Sequence, residues 1–244
     1  MLFMAGVASA VSVQLGQGPI SAQRTGNIID VKSLGMNHSA GVQAYYDPTV
    51  GKKGKVTYDK WNGAAGEYNY DLAGNRKNVT WSVDLYQQMG TGSTHEYENV
   101  IVTDKNYLAT VDKLFYQYEM YTAANVGNNP ALGIAAAAFQ LALWEVTYET
   151  GEYDLTSGWF YAKADDETTL GDLWLSSLDG IIAPNYNKAF YVNDKMSDII
   201  AFTENIPGGG GGGSPSVPEP LTLFCAGLSC GAVGAYLRKR INDK

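Results

Sequence analysis

Residues Ala131 to Tyr148 form the segment that most restricts the fold, since it is built from strong helix formers and holds almost no polar residue before Glu145. The preceding Asn129 and Pro130 match an N-cap and a first helical position. A helix apolar on nearly every side must lie at the centre of a folded body, with other elements packed around it. Its one amide, Gln140, is then buried, and an unpaired buried amide costs about 1–3 kcal/mol, so a partner or a role is expected for it.

The surroundings of this helix predict an α+β body. Residues Ser33 to Tyr70 are rich in glycine and tyrosine and carry turn signals at Asp47–Pro48, Gly51–Gly54 and Asn62–Gly63, which predicts a β meander. From Val79 to Tyr86 the chain alternates strictly: Val79, Trp81, Val83 and Leu85 share one face of a strand, and Thr80, Ser82, Asp84 and Tyr86 the other. Leu108, Val111, Leu114, Phe115, Tyr118 and Tyr121 recur at helical spacing within Tyr107 to Ala124, and a shorter helix is expected over Thr168 to Leu178. Ala189–Val192 and Ile199–Phe202 read as closing strands. Strands, then helices, then strands predict an antiparallel sheet or sandwich packed with a small helical layer. No internal repeat is visible.

The two ends divide the chain of 244 residues further. Residues 1–10 carry an apolar run ending in Ala8-Ser9-Ala10 with no cation before it, and read either as a truncated signal peptide or as a buried first strand. The body is expected over residues 11–206. Pro207, six consecutive glycines (Gly208–Gly213) and Ser214–Ser216 then make a flexible linker over 207–216. Residues 217–244 follow with Val217-Pro218-Glu219-Pro220, an apolar stretch from Leu221 to Leu237, and the basic cluster Arg238-Lys239-Arg240. The stretch is just long enough to span a bilayer as a helix, and the basic cluster on its far side places the body outside the cytoplasm.

Charge and residue usage narrow the chemistry. The net charge is −8, and Arg238, Lys239, Arg240 and Lys244 all lie beyond the apolar stretch, so the body is more acidic than the total. An acidic body without a Lys/Arg-rich tract argues against nucleic-acid binding. Both cysteines, Cys225 and Cys230, fall in the apolar stretch, which leaves the body without disulfides or thiolate chemistry. His38 and His95 lack metal-ligand spacing and read as surface or loop residues, so neither metal nor other cofactor is expected.

The order Val217-Pro218-Glu219-Pro220, apolar helix, basic terminus resembles the PEP-CTERM sorting signal of Gram-negative bacteria that make exopolysaccharide and biofilm. The resemblance implies recognition by an exosortase, which removes the helix. Pro218 and Pro220 would hold the motif extended for that enzyme. Within the body, Phe139–Val146, preceded at a distance by Trp81-Ser82-Val83-Asp84-Leu85, resembles the thioester-domain family of bacterial surface proteins. In that family a cysteine just before Val-Asp-Leu and a helix glutamine form an internal thioester, which attaches the protein covalently to a surface amine or hydroxyl. By position Gln140 matches the glutamine and Ser82 stands where the cysteine is expected, with Asp84, Trp144 and Glu145 as supporting residues. Serine is the poorer nucleophile, because its hydroxyl is not ionised near neutrality and needs an adjacent base. If the resemblance holds, the Ser82 hydroxyl and the Gln140 amide are expected in contact.

The resemblances together imply a non-enzymatic, exported attachment module of the cell envelope or extracellular matrix, held in the inner membrane by its C-terminal helix until an exosortase releases it. Its further partner would be a polysaccharide or a surface protein. One alternative is a non-covalent carbohydrate- or matrix-binding module that uses some of the seventeen tyrosines and five tryptophans as stacking surface. Another is a glycosidase-like enzyme with paired carboxylates, such as Glu145 with Glu149 or Asp165 with Asp166.

Overall fold

A computed structural model describes residues 12–15, 19–47, 59–72, 75–85, 87, 92–149, 151–163 and 166–202, with side chains in all of these except 75–78. The expected signal peptide, the linker, the sorting motif and the basic tail lie outside the described residues. The chain divides after Glu204 into two units, and every described residue belongs to the first.

The elements run in the order β1 (Ser12–Gln14), β2 (Ser21–Tyr46), β3 (Asp59–Leu72), β4 (Asn75–Ser82), β5 (Thr94–Val102), α1 (Lys105–Ala124), α2 (Asn129–Tyr148), β6 (Phe160–Ala162), α3 (Asp166–Ser176), a 3-10 turn (Leu178–Gly180), β7 (Lys188–Val192) and β8 (Ile199–Phe202). The α+β class is as expected, and all strand pairings are antiparallel. The sheet is neither open nor a sandwich, however. β2 pairs β3, β3 pairs β4, β4 pairs β8, β8 pairs β7, β7 pairs β5, and β5 returns to β2. This ring removes most free edges, as barrel closure does. It is possible because β2 is 26 residues long and serves β5 with its first half and β3 with its second.

The expected meander is present as β2, β3 and β4 paired in chain order, but with two long strands where more frequent turns were expected. Asn62–Gly63 is not a turn: both residues sit in mid-strand, opposite Gln43 and Val42. A ladder partner on β2 outweighs the local turn preference of the dipeptide. The other expected turns, Asp47–Pro48 and Gly51–Gly54, fall wholly or partly outside the described residues. His38 and His95, expected at the surface or in loops, lie half-buried on β2 and β5.

α2 is the buried helix, with every residue from Ala135 to Tyr148 inside. It is long and apolar enough to cross a membrane, yet it is packed against protein on most of its surface. Its cap is Asn128, one residue earlier than expected, whose side chain accepts from Ala131 N–H, and Pro130 lies in the first turn. Asp104 caps α1 by accepting from the backbone N–H of Asn106 and Tyr107. Gly133 brings α2 against β2, where an added Cβ would meet the Ser39 carbonyl oxygen at 2.8 Å.

The ring has two separate apolar faces. Inside it Val31, Tyr70, Leu72, Tyr97, Ile199 and Ala201 form one cluster. On its outer side Trp81 packs against Phe115 and Tyr118 of α1, Phe139 of α2 and Phe202 of β8, with ring centroids 4.6–5.7 Å apart. A buried ion pair, Lys188 Nζ to Asp112 Oδ1 at 2.5 Å, ties β7 to α1.

Candidate functional site

Gln140 and Ser82, 58 residues apart in sequence, meet in the structure. The Gln140 Nε2 donates to the Ser82 carbonyl oxygen (2.7 Å), and the Ser82 backbone N–H donates to Gln140 Oε1 (3.2 Å). Both residues are buried. The expected contact therefore runs through the Ser82 backbone and not through its hydroxyl.

Strand geometry accounts for the difference. Val83 N–H donates to the Asp198 carbonyl, and antiparallel pairs alternate between bonded and non-bonded, so the pair Ser82–Ile199 is of the non-bonded kind. The Ser82 N–H and C=O point away from β8, toward β3. But the β3–β4 ladder ends at Tyr68–Thr80, leaving no strand residue opposite Ser82. The Gln140 carboxamide occupies that place and offers one acceptor and one donor, as a peptide group of a neighbouring strand would.

The Ser82 side chain takes the other direction. Ile199 and Ala201, the cross-strand partners of Ser82 and Thr80, belong to the cluster inside the ring, so this face of β4 points inward and the Trp81 face meets the helices. A contact between the Ser82 hydroxyl and the Gln140 amide would need α2 on the Thr80, Ser82 and Asp84 side, whereas α2 packs on the Trp81 side. Both faces are buried, which is why alternation could not choose between them. The Ser82 hydroxyl donates to the Asp84 carbonyl oxygen (2.7 Å) and lies 2.5 Å from Ser197 Oγ. Ser197 Oγ is also within reach of the Asp84 and Asp198 carbonyls, and the Tyr97 hydroxyl donates to the Ser197 carbonyl. Among the described residues no ionisable side chain accepts the Ser82 proton, so the hydroxyl is not activated.

The remaining site residues divide between this junction and a second place. Asp84 lies past the end of β4 and joins the junction through its carbonyl; burial, reinforced by the charges of Asp198 and then Asp84, pushes the nearby Tyr97 hydroxyl well above its ordinary range. Trp144 and Glu145 make their contacts elsewhere than at Ser82. The Trp144 ring packs edge-on against Trp61 (5.3 Å) and Phe160 (6.1 Å). Glu145 Oε1 accepts the Asp154 backbone N–H (2.7 Å), while its Oε2 is buried with no partner. Burial, reinforced by the charges of Glu149, Asp154 and Asp172, pushes the Glu145 carboxyl up to about 9. Glu149 accepts the backbone N–H groups of Trp159 and Phe160, and Asp172 accepts that of Leu155. Glu145 and Glu149 thus both hold the loop between α2 and β6, while Asp165 lies outside the described residues.

Two members of the junction were missed in the sequence. Ser197 sits 115 residues from Ser82, just before β8, and nothing in the sequence pairs the two. Tyr148, read only as the end of the central helix, has a hydroxyl that accepts from the Leu85 N–H (3.1 Å). Among the described residues no group of three or more His, Cys, Asp or Glu side chains is placed to hold a metal ion. Comparison with protein-family models, curated proteins and solved structures finds no match.

Proposed function

We propose that this chain is an exported attachment module of the cell envelope, related in plan to thioester domains, in which hydrogen bonds replace the covalent cross-link. The observation that carries the reading is the double hydrogen bond between Gln140 and Ser82. It brings together the two segments on which the family resemblance rests. The Ser82 N–H points at the oxygen that would become an oxyanion, as a catalytic donor would. What is lacking is a nucleophile, since the hydroxyl is engaged with Asp84 and Ser197. Export, anchoring by residues 221–237 and release by an exosortase at Val217–Pro220 belong to the same proposal and rest on the sequence pattern.

Ser82→Cys tests the relationship. A thiol is a weak hydrogen-bond donor, so the side chain would be released from Asp84 and Ser197 and free to turn toward the amide. Its thiolate would attack the Gln140 amide carbon, expel the nitrogen as ammonia and leave a thioester about 17 Da lighter, which methylamine opens to the methylamide. Gln140→Ala in the same background would abolish both the mass loss and the labelling. An intact thiol with no mass loss in Ser82→Cys would overturn the thioester-domain plan. Sorting is checked separately: Glu219→Ala should leave the chain in the membrane of an exosortase-containing host, and unchanged release would overturn that part.

A further inference from the structure

Beyond the ring, the β2–β3 ladder continues as a flap, Ser39–Tyr46 against Asp59–Gly66, and β6 pairs its outer end. Alternation gives the flap two faces. Ala44, Ala65, Phe160 and Ala162 are buried on the side of α2, where Trp61 meets Trp144.

The opposite face differs in chemistry. Tyr45 lies between Lys60 of β3 and Tyr161 of β6 in direct register, and Gln43 lies opposite Asn62. Trp159 and Lys163 stand two residues to either side of Tyr161, on the same side of the chain. The Tyr45 and Tyr161 rings stack at 4.7 Å with an interplanar angle of 5°. The ammonium groups of Lys60 and Lys163 lie 6.0 and 5.4 Å from the Tyr45 ring centre. Gln43, Lys60, Asn62, Trp159 and Lys163 are exposed and the two tyrosines half-buried.

A cross-strand tyrosine stack by itself would only fix register. The two lysines are harder to explain that way. Acidic residues outnumber basic ones by 25 to 17 in this chain, yet both cations converge on one stack, and among the described residues neither has a carboxylate partner. Aromatic edges, two side-chain amides and two ammonium groups on one row about 10 Å wide, by strand spacing, suit an extended chain of hydroxylated rings bearing carboxylates.

We infer that this face binds an anionic polysaccharide of the polyuronate class. Lys60 and Lys163 meet the carboxylates, Trp159 and the tyrosines pack against the sugar C–H faces, and Gln43 and Asn62 bond the ring hydroxyls. The inference rests on the attachment reading and names what is attached, while its readout is independent of the Gln140–Ser82 junction. The test is affinity electrophoresis of the full chain in detergent, with alginate or neutral dextran in the gel. Alginate should retard the protein and dextran should not. Lys60→Gln/Lys163→Gln should weaken the alginate affinity by about tenfold or more, the scale of two lost charge-assisted contacts. Trp159→Ala should weaken it as well, whereas Lys105→Gln/Lys113→Gln on α1 should leave it unchanged. Equal retardation by dextran, no effect of the Lys60/Lys163 pair, or an equal effect of the α1 pair would overturn the proposal. So would self-association that the flap variants abolish, which would make the occupant a second copy. Loss of alginate binding with a reactive Ser82→Cys variant would fault this inference alone, and the reverse pattern would fault only the thioester-domain plan.

Discussion

Gln140→Leu removes the carboxamide while nearly keeping its volume, and leaves the Ser82 N–H and C=O buried with no strand opposite them. Each orphaned group costs about 1–3 kcal/mol, so the pair is worth roughly 2–6 kcal/mol before leucine's own burial is credited. That is a large part of a typical domain stability of about 5–15 kcal/mol. At roughly 2–4 °C per kcal/mol for a body of this size, the melting temperature should fall by about 5–15 °C. Differential scanning calorimetry of wild type and variant at pH 7 measures it, and amide exchange at Ser82 should accelerate in the variant. Gln140→Glu sharpens the test. Only the protonated carboxyl can both donate to the Ser82 carbonyl and accept from its N–H, so the folded state raises the pKa of the new acid. The variant should then be most stable below the ordinary carboxylate range and weaken as pH rises through neutrality. A Gln140→Leu shift below about 1 °C, or a Gln140→Glu stability that does not depend on pH, would refute the account of the amide as a substitute strand.

Three further outcomes follow from the packing. Glu145 is raised to about 9 by burial, so between the ordinary glutamate range and that value the folded state holds a proton that the unfolded state has lost, and stability falls with rising pH at up to ~1.4 kcal/mol per unit. Glu145→Gln keeps the acceptor for Asp154 N–H and should match wild type near pH 4.5 but melt higher than it at pH 8. Lys188→Met strands Asp112 in the interior and should cost about 3–5 kcal/mol in urea unfolding, most of it recovered in Asp112→Leu/Lys188→Met. Gly133→Ala should lower the melting temperature despite alanine's better helix propensity, because its Cβ would lie 2.8 Å from the Ser39 carbonyl oxygen; a rise would mean that α2 and β2 separate easily.

Much of the helical half was legible because its signals are local. α1, α2, α3 and strands β7 and β8 were readable within a few residues at their ends, and α2 stood out by composition alone. The ring was not legible. Its closing strand β5 and the first half of β2 carry mixed polar and apolar residues, and only pairings between distant segments make strands of them. Asn62–Gly63 misled for the same reason, since a local turn signal yields to a partner strand supplied from elsewhere. At the site, the need to satisfy a buried amide called for some partner to Gln140, and the thioester-domain resemblance alone pointed to the Ser82 segment. The orientation of Ser82 was not foreseeable, because a strand buried on both faces gives no sign of which face the helix takes. Ser197, which engages the Ser82 hydroxyl, has no sequence neighbour that marks it.

The central claim is that Gln140 and Ser82 are joined by hydrogen bonds and by no covalent bond. Peptide mass mapping of the purified full chain, before and after incubation with methylamine, tests it most directly. The peptides carrying Ser82 and Gln140 should separate, each at its full mass with the Gln140 amide intact, and methylamine should add to neither. A linked pair about 17 Da below the sum of the two peptides, or a methylamide at Gln140, would show an activated acyl group between these residues and contradict the account.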